Sequence, residues 1–122
     1  MEKTQKISAD KNIFATYLKE INKIPLLSVE DEVKYAQAAA AGDAAAKKIL
    51  IESNLRFVVN VAKKYQNKNI PIMDLISEGN IGLMNAADRF DPNKGYKFIS
   101  YAVWWIRQAI LKAICEKSRM IR

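Results

Sequence analysis

Residues 96–112 read YKFISYAVWWIRQAILK, and their spacing sets how the rest of the chain is read. At about 100° per residue, Ala102, Val103, Ile106, Ala109, Ile110, Ala113 and Ile114 share one side of a helix. Tyr101, Trp104, Trp105, Gln108, Leu111, Lys112 and Cys115 share the other. A helix in a small domain needs one apolar stripe to bury, and the aliphatic side supplies it. The tryptophans therefore stand outside the seam, beside Gln108 and Lys112. Two readings follow: a second core, or a surface for a ligand that has flat faces and negative charge.

Outward from this stretch the pattern is helical throughout, with three prolines and no alternation bounded by hairpin turns. Asp91-Pro92-Asn93-Lys94-Gly95 has the composition of a turn. Before it, Pro71 suits the first turn of a helix whose buried stripe is Leu75, Ile76, Gly79, Leu83, Ala86, Ala87 and Phe90. Asp74, Ser77, Glu78, Ile81, Met84 and Asn85 share another face of that helix, which suits either solvent or a protein partner. Asp43 is a cap for one long helix carrying Leu50, Ile51, Leu55, Val58, Val59, Ala62 and Tyr65, ended by Gln66-Asn67-Lys68-Asn69. Ser28, with acids at 30–32, starts a helix that stops near Gly42. Ser8 or Asp10 caps a first helix bearing Phe14, Tyr17, Leu18 and Ile21, and residues 1–12 are expected to be flexible. The predicted fold is all-α, a compact multi-helix domain over 13–122 with a long C-terminal helix. The absence of a glycine or proline stop before Arg122 predicts a longer parent chain.

The chain of 122 residues suffices for one domain with a core. It has one cysteine, Cys115, and no histidine. No internal disulfide can form, a zinc site would rest on carboxylates alone, and the commonest general acid/base is missing. The four glycines are too scattered to cradle a phosphate, and Asp74 with Glu78 has no partner chemistry around it. The expectation is a protein that is not an enzyme and carries no cofactor or metal. No apolar run approaches the roughly 20 residues that span a bilayer, and the polar N-terminus lacks a signal core. A cytoplasmic protein with no membrane partner is expected. Net charge is +7, of which residues 85–122 hold +5 (eight basic against three acidic), while residues 1–53 are balanced at eight against eight. Positive charge concentrated beside aromatics favours a polyanionic partner.

Three motifs in order carry a resemblance. NLRFVVNVAKKY (54–65), DLISEGNIGLMNAADRFDPNKGYKF (74–98) and SYAVWWIRQAI (100–110) resemble the central domain of sigma factors of the sigma-70 family. YLKEINKIPLLSVEDEVKYA (17–36) is similar to the short region that precedes it (13–42, with 43–122 as the main region). The likeness covers nearly all of the chain after residue 12.

The resemblance implies a non-enzymatic protein that binds core RNA polymerase, recognises the promoter minus-ten element and captures its single-stranded non-template strand. Trp104 and Trp105 would stand at the fork of the DNA. Phe90, Tyr96 and Tyr101 would wall a pocket for a flipped adenine, with Asp91, Lys94 and Gln108 as polar partners and Lys97 and Phe98 beside them. Arg107 and Lys112 would meet phosphate. Asn54, Phe57 and Ile99 would line a downstream thymine pocket, and Tyr17, Leu18 and Lys19 would touch DNA just beyond. Asp74, Ser77, Glu78, Asn80 and Met84 would dock on the coiled coil of the polymerase β′ subunit, which replaces the solvent reading of that face. An anti-sigma factor is a further partner the family allows. Leu111 stands where a threonine is usual, and Ile99-Ser100 replaces the usual Ser-Thr, which implies a shifted promoter preference. Two other classes compete: a sequence-indifferent single-strand binder and a pure protein-interaction module.

Overall fold

The computed structural model describes the backbone of residues 2–120 and side chains from Asn12 to Lys117. It contains α1 (Glu2–Ile21), α2 (Val29–Ala40), α3 (Ala44–Glu52), α4 (Leu55–Lys64), α5 (Ile72–Arg89) and α6 (Phe98–Met120), with a 3₁₀ turn at Pro92–Lys94. There is no strand among the described residues, and the fold is all-α as expected.

Local chemistry sets most boundaries. Ser28 caps α2 by accepting the Asp31 N–H at 3.1 Å, and Glu30, Asp31 and Glu32 complement the positive end of the helix. Asp43 caps α3 through the N–H groups of Ala45 and Ala46 at 3.0 and 3.2 Å. Two expected boundaries move slightly. Helix α1 begins at Glu2 and passes through Ser8 and Asp10, so neither starts it; most of the stretch expected to be flexible, 1–12, has side chains outside the described residues. Pro71 sits one residue before α5, in an extended conformation at φ −58°, ψ 142°.

The single long helix expected over 43–65 is in fact two, broken at Ser53-Asn54. The Ser53 hydroxyl and the Asn54 side-chain amide both donate to the Leu50 carbonyl, at 3.0 and 2.8 Å. The Asn54 backbone N–H bonds instead to Ile51 O at 3.0 Å, one residue short of the α-helical register. Short polar side chains thus outcompete the helix for its own carbonyl. Hydrophobic periodicity runs through both pieces and conceals the break.

The core is built on the crossing of α5 and α6. Phe98, Ala102, Ile106 and Ile110, spaced four apart, are buried against Leu75, Ile76, Leu83 and Ala86, with Val58, Val59 and Ala62 of α4 beneath. Each such large aliphatic side chain contributes about 1.5–3 kcal/mol by leaving water. The helices meet closely at Gly82, where a Cβ would lie 2.5 Å from the Trp105 carbonyl oxygen. Only glycine lets the α5 backbone pass there.

Helix α1 packs on this frame through buried Ile21 and half-buried Phe14, Tyr17 and Leu18. Its following turn is tied to α4, the Arg56 guanidinium donating to the Ile24 carbonyl.

Candidate nucleic-acid interface

The turn before α6 shapes one end of the molecule. Asp91 accepts the Asn93 N–H at 2.9 Å, and Gly95 adopts φ +87°, which side-chain-bearing residues rarely take. The chain then doubles back and lays Tyr96 against Phe90 (ring centroids 5.9 Å) and against Tyr101 (5.9 Å, planes 19° apart). Phe90 is the hub, with Tyr101 at 5.5 Å and Phe98 edge-on at 5.3 Å. The series continues along α6 from Tyr101 to Trp105 (6.2 Å) and from Trp105 to Trp104 (5.3 Å, nearly perpendicular).

The six rings that the resemblance assigns to DNA differ in burial. Phe90 and Phe98 are 8% and 2% exposed and form a buried floor: Phe90 packs against Tyr96 and Tyr101, and Phe98 packs edge-on against Phe90 and belongs to the core. Tyr96 and Trp104 are 45% and 57% exposed. With Ser100, Tyr101 and Trp105 they line an open cleft of about 280 Å³. Ser100, which the sequence reading pairs with Ile99 as a departure bearing on promoter preference, lines this cleft. Lys94, Lys97, Arg107, Gln108 and Lys112 are exposed around this end, and Asp91 is half-buried. Among the described residues these four cations make no ion pair, whereas Lys23, Lys47, Lys48 and Lys117 each meet a carboxylate. The arrangement offers flat apolar faces on a stretch of chain whose exposed cations carry no ion pair among the described residues.

Behind the floor lies a second groove, of about 170 Å³. Val29, Glu32, Val33 and Ala36 of α2 face Phe90, Pro92, Tyr96, Lys97, Phe98 and Ile99 across it. One carboxylate oxygen of Glu32 is buried there with no hydrogen-bond partner. Sequence reasoning assigned Glu32 only to helix capping; the acid run 30–32 gives no sign of which member faces inward. Ile99 lines the groove; Asn54 and Phe57, grouped with it in the sequence reading, are not among its walls. Asn54 spends its amide on Leu50, and Phe57 packs half-buried on the core.

The remaining assignments divide similarly. Lys19 is exposed, while Tyr17 and Leu18 pack on the core. On α5, Asp74, Ser77 and Met84 are exposed and Glu78 is half-buried. Asp74 pairs with Lys117 of α6. Asn80 turns aside: its amide donates to the Tyr17 hydroxyl at 3.2 Å, and its carbonyl oxygen is buried and unpartnered. Exposed Ile81 completes the apolar part of this face. A third groove, of about 290 Å³, runs from Glu78, Ile81 and Asn85 to Trp104, Trp105, Gln108 and Lys112. It joins the α5 face to the aromatic end.

No group of three potential metal ligands occurs among the described residues, and no described helix is long and apolar enough to cross a membrane.

The fold and the site define a broad class: a helical protein with aromatic rings and, among the described residues, unpaired cations on one edge. Comparison with known proteins narrows it. Residues 50–120 match the family model for Sigma-70 region 2, and residues 14–45 match that for Sigma-70 factor, region 1.2. The chain is 54% identical over 106 residues to RNA polymerase sigma factor SigA of a Bacillus species, covering 87% of this chain and 28% of that protein. The figures for the SigA of Clostridium acetobutylicum are the same. That of Lactococcus lactis subsp. cremoris is 52% identical over 109 residues, covering 87% of this chain and 30% of the relative. The chain thus spans less than a third of these relatives. It belongs to the sigma-70 family and carries that family's regions 1.2 and 2.

Proposed function

We propose that the chain docks on core RNA polymerase through the exposed face of α5 and captures the unpaired non-template strand of a promoter minus-ten element in the aromatic cleft. The observation that carries this reading is the cleft of Tyr96, Ser100, Tyr101, Trp104 and Trp105, about 280 Å³ and open to solvent. Its walls suit a nucleobase: stacking on an aromatic is worth about 1–3 kcal/mol per base, comparable to the few kcal/mol needed to take a base out of the duplex. Tyr96 and Tyr101, already packed on Phe90, lose little freedom on binding. The protein then needs no nucleotide hydrolysis and acts as a non-catalytic factor in the cytoplasm, where the polymerase works.

In this reading Trp104 stands at the fork, Tyr96 and Tyr101 hold the flipped adenine, and Asp91, Lys94 and Gln108 supply polar contacts. Lys97, Arg107 and Lys112 follow the phosphates. The second groove takes a downstream base between Ile99 and Lys97, with the Glu32 carboxylate as an acceptor, and Lys19 lies further along the strand. Asp74, Ser77, Glu78 and Met84, with Ile81, meet the β′ coiled coil.

The test is to assemble the chain with core polymerase and measure its affinity for a non-template oligonucleotide, with the minus-ten adenine present or replaced. A polymerase-dependent preference for the adenine is expected. Equal affinity for both oligonucleotides would remove the reading in favour of an indifferent single-strand binder. In parallel, Glu78→Lys is expected to weaken core binding while circular dichroism stays that of the parent; unchanged core affinity would remove the docking face.

A further inference from the structure

We propose that Arg89 is a positioning residue for Trp105, so that the two tryptophans have different tasks; the inference rests on the nucleic-acid reading above. Arg89 lies in the last turn of α5 and is exposed. Its guanidinium carbon is 5.2 Å from the centre of the Trp105 ring, on the neighbouring helix. Among the described residues it pairs with no carboxylate, so its charge is directed to the indole. A guanidinium over an indole face is attracted by the ring quadrupole, and its planar group also packs on the ring.

Trp105 is thereby held from several directions. Its backbone carbonyl abuts Gly82, Tyr101 flanks the ring at 6.2 Å, and Trp104 meets it at 5.3 Å with planes 85° apart. Trp104 is 57% exposed and has Trp105 as its aromatic neighbour. One indole is a fixed brace with a face covered by the protein's own cation. The other is the open stacking surface, and its orientation depends on the brace. Arg89 therefore acts on the fork through Trp105, and not as a phosphate contact. The α5–α6 pairing also links the helix assigned to polymerase docking directly to the helix assigned to DNA.

The experiment uses Arg89→Met and Arg89→Lys in a Trp104→Phe background, where Trp105 alone reports. In the free chain, Arg89→Met is expected to raise acrylamide quenching of Trp105 and shift its near-ultraviolet circular dichroism. Arg89→Lys, which keeps a cation, should restore part of both signals. In the full chain bound to core polymerase, with Trp104 intact, Arg89→Met should lower affinity for a forked promoter oligonucleotide about two- to fivefold. The slope of log affinity against log salt should not change. A Trp105 signal identical in Arg89→Met and the parent would overturn the proposal. So would a salt slope reduced by about one, which marks a lost phosphate contact. Altered quenching with unchanged fork affinity would also overturn it, leaving only a local contact. If the parent itself shows no fork preference, the nucleic-acid reading fails, while the free-chain fluorescence still reports on the contact.

Discussion

The two clefts that meet at Tyr96, which packs on Phe90, are built in opposite ways. The aromatic cleft comes from residues 96–105, one turn and the start of one helix, and it is apolar and open. The groove behind it needs α2, from a distant part of the chain, and it holds a buried carboxylate oxygen without a partner. A surface made of adjacent residues survives small shifts between helices. A groove made by two distant elements depends on how they pack. Flat faces recognise any base by stacking, whereas a desolvated acceptor distinguishes donors. In the proposed reading the first cleft holds its base chiefly by stacking, with Asp91, Lys94 and Gln108 left to select adenine, whereas the second selects through its buried acceptor.

The comparison breaks most severely if the shared floor goes. Phe98→Ala should cost about 3–5 kcal/mol of stability, read by urea denaturation, and both clefts should fail together. Loss of only one would mean that they do not share a support. Next in size, Trp104→Ala with Trp105→Ala should weaken capture of the forked oligonucleotide by about 1–3 kcal/mol, while downstream base preference is retained. Unchanged capture would turn the tryptophans into packing alone.

Glu32→Gln sharpens the other side of the comparison. It keeps the shape of the groove and removes its charge. Discrimination among downstream bases should change by about 1 kcal/mol in competition binding, with no effect on the flipped adenine. A change at the adenine would show the two clefts to be coupled. The smallest effect is expected from Tyr17→Phe. Loss of the hydroxyl leaves the Asn80 amide without its partner, at a cost of about 0.5–1.5 kcal/mol in thermal or urea unfolding, and oligonucleotide affinity at the aromatic cleft should stay constant.

Much of the architecture was legible because it is local. The caps at Ser28 and Asp43, the turn at Asp91–Gly95 and the buried stripe of α6 all depend on residues within a few positions of each other. The outward placement of Trp104 also follows from spacing alone. The split at Ser53-Asn54 was not legible, since the apolar rhythm continues across it and the competing bonds to Leu50 belong to short polar side chains. Phe90 and Phe98 looked like equals of Tyr96 and Tyr101, because composition does not tell which ring of a cluster lies beneath. Asn80 sits between two docking residues in sequence, yet its bond to Tyr17 depends on a helix 63 residues away.

By itself, then, the sequence determined an all-α chain with rings and positive charge gathered at one end, and its motifs place it in the sigma-70 family. Periodicity, capping and charge are properties of neighbouring residues, so they are visible without coordinates. Only the tertiary structure decided which rings are floor and which are wall, that Glu32 faces a groove, and that Arg89 covers Trp105. Each of these depends on the distance between separate helices, and that distance is set by packing at places such as Gly82, where one missing side chain brings α5 onto α6.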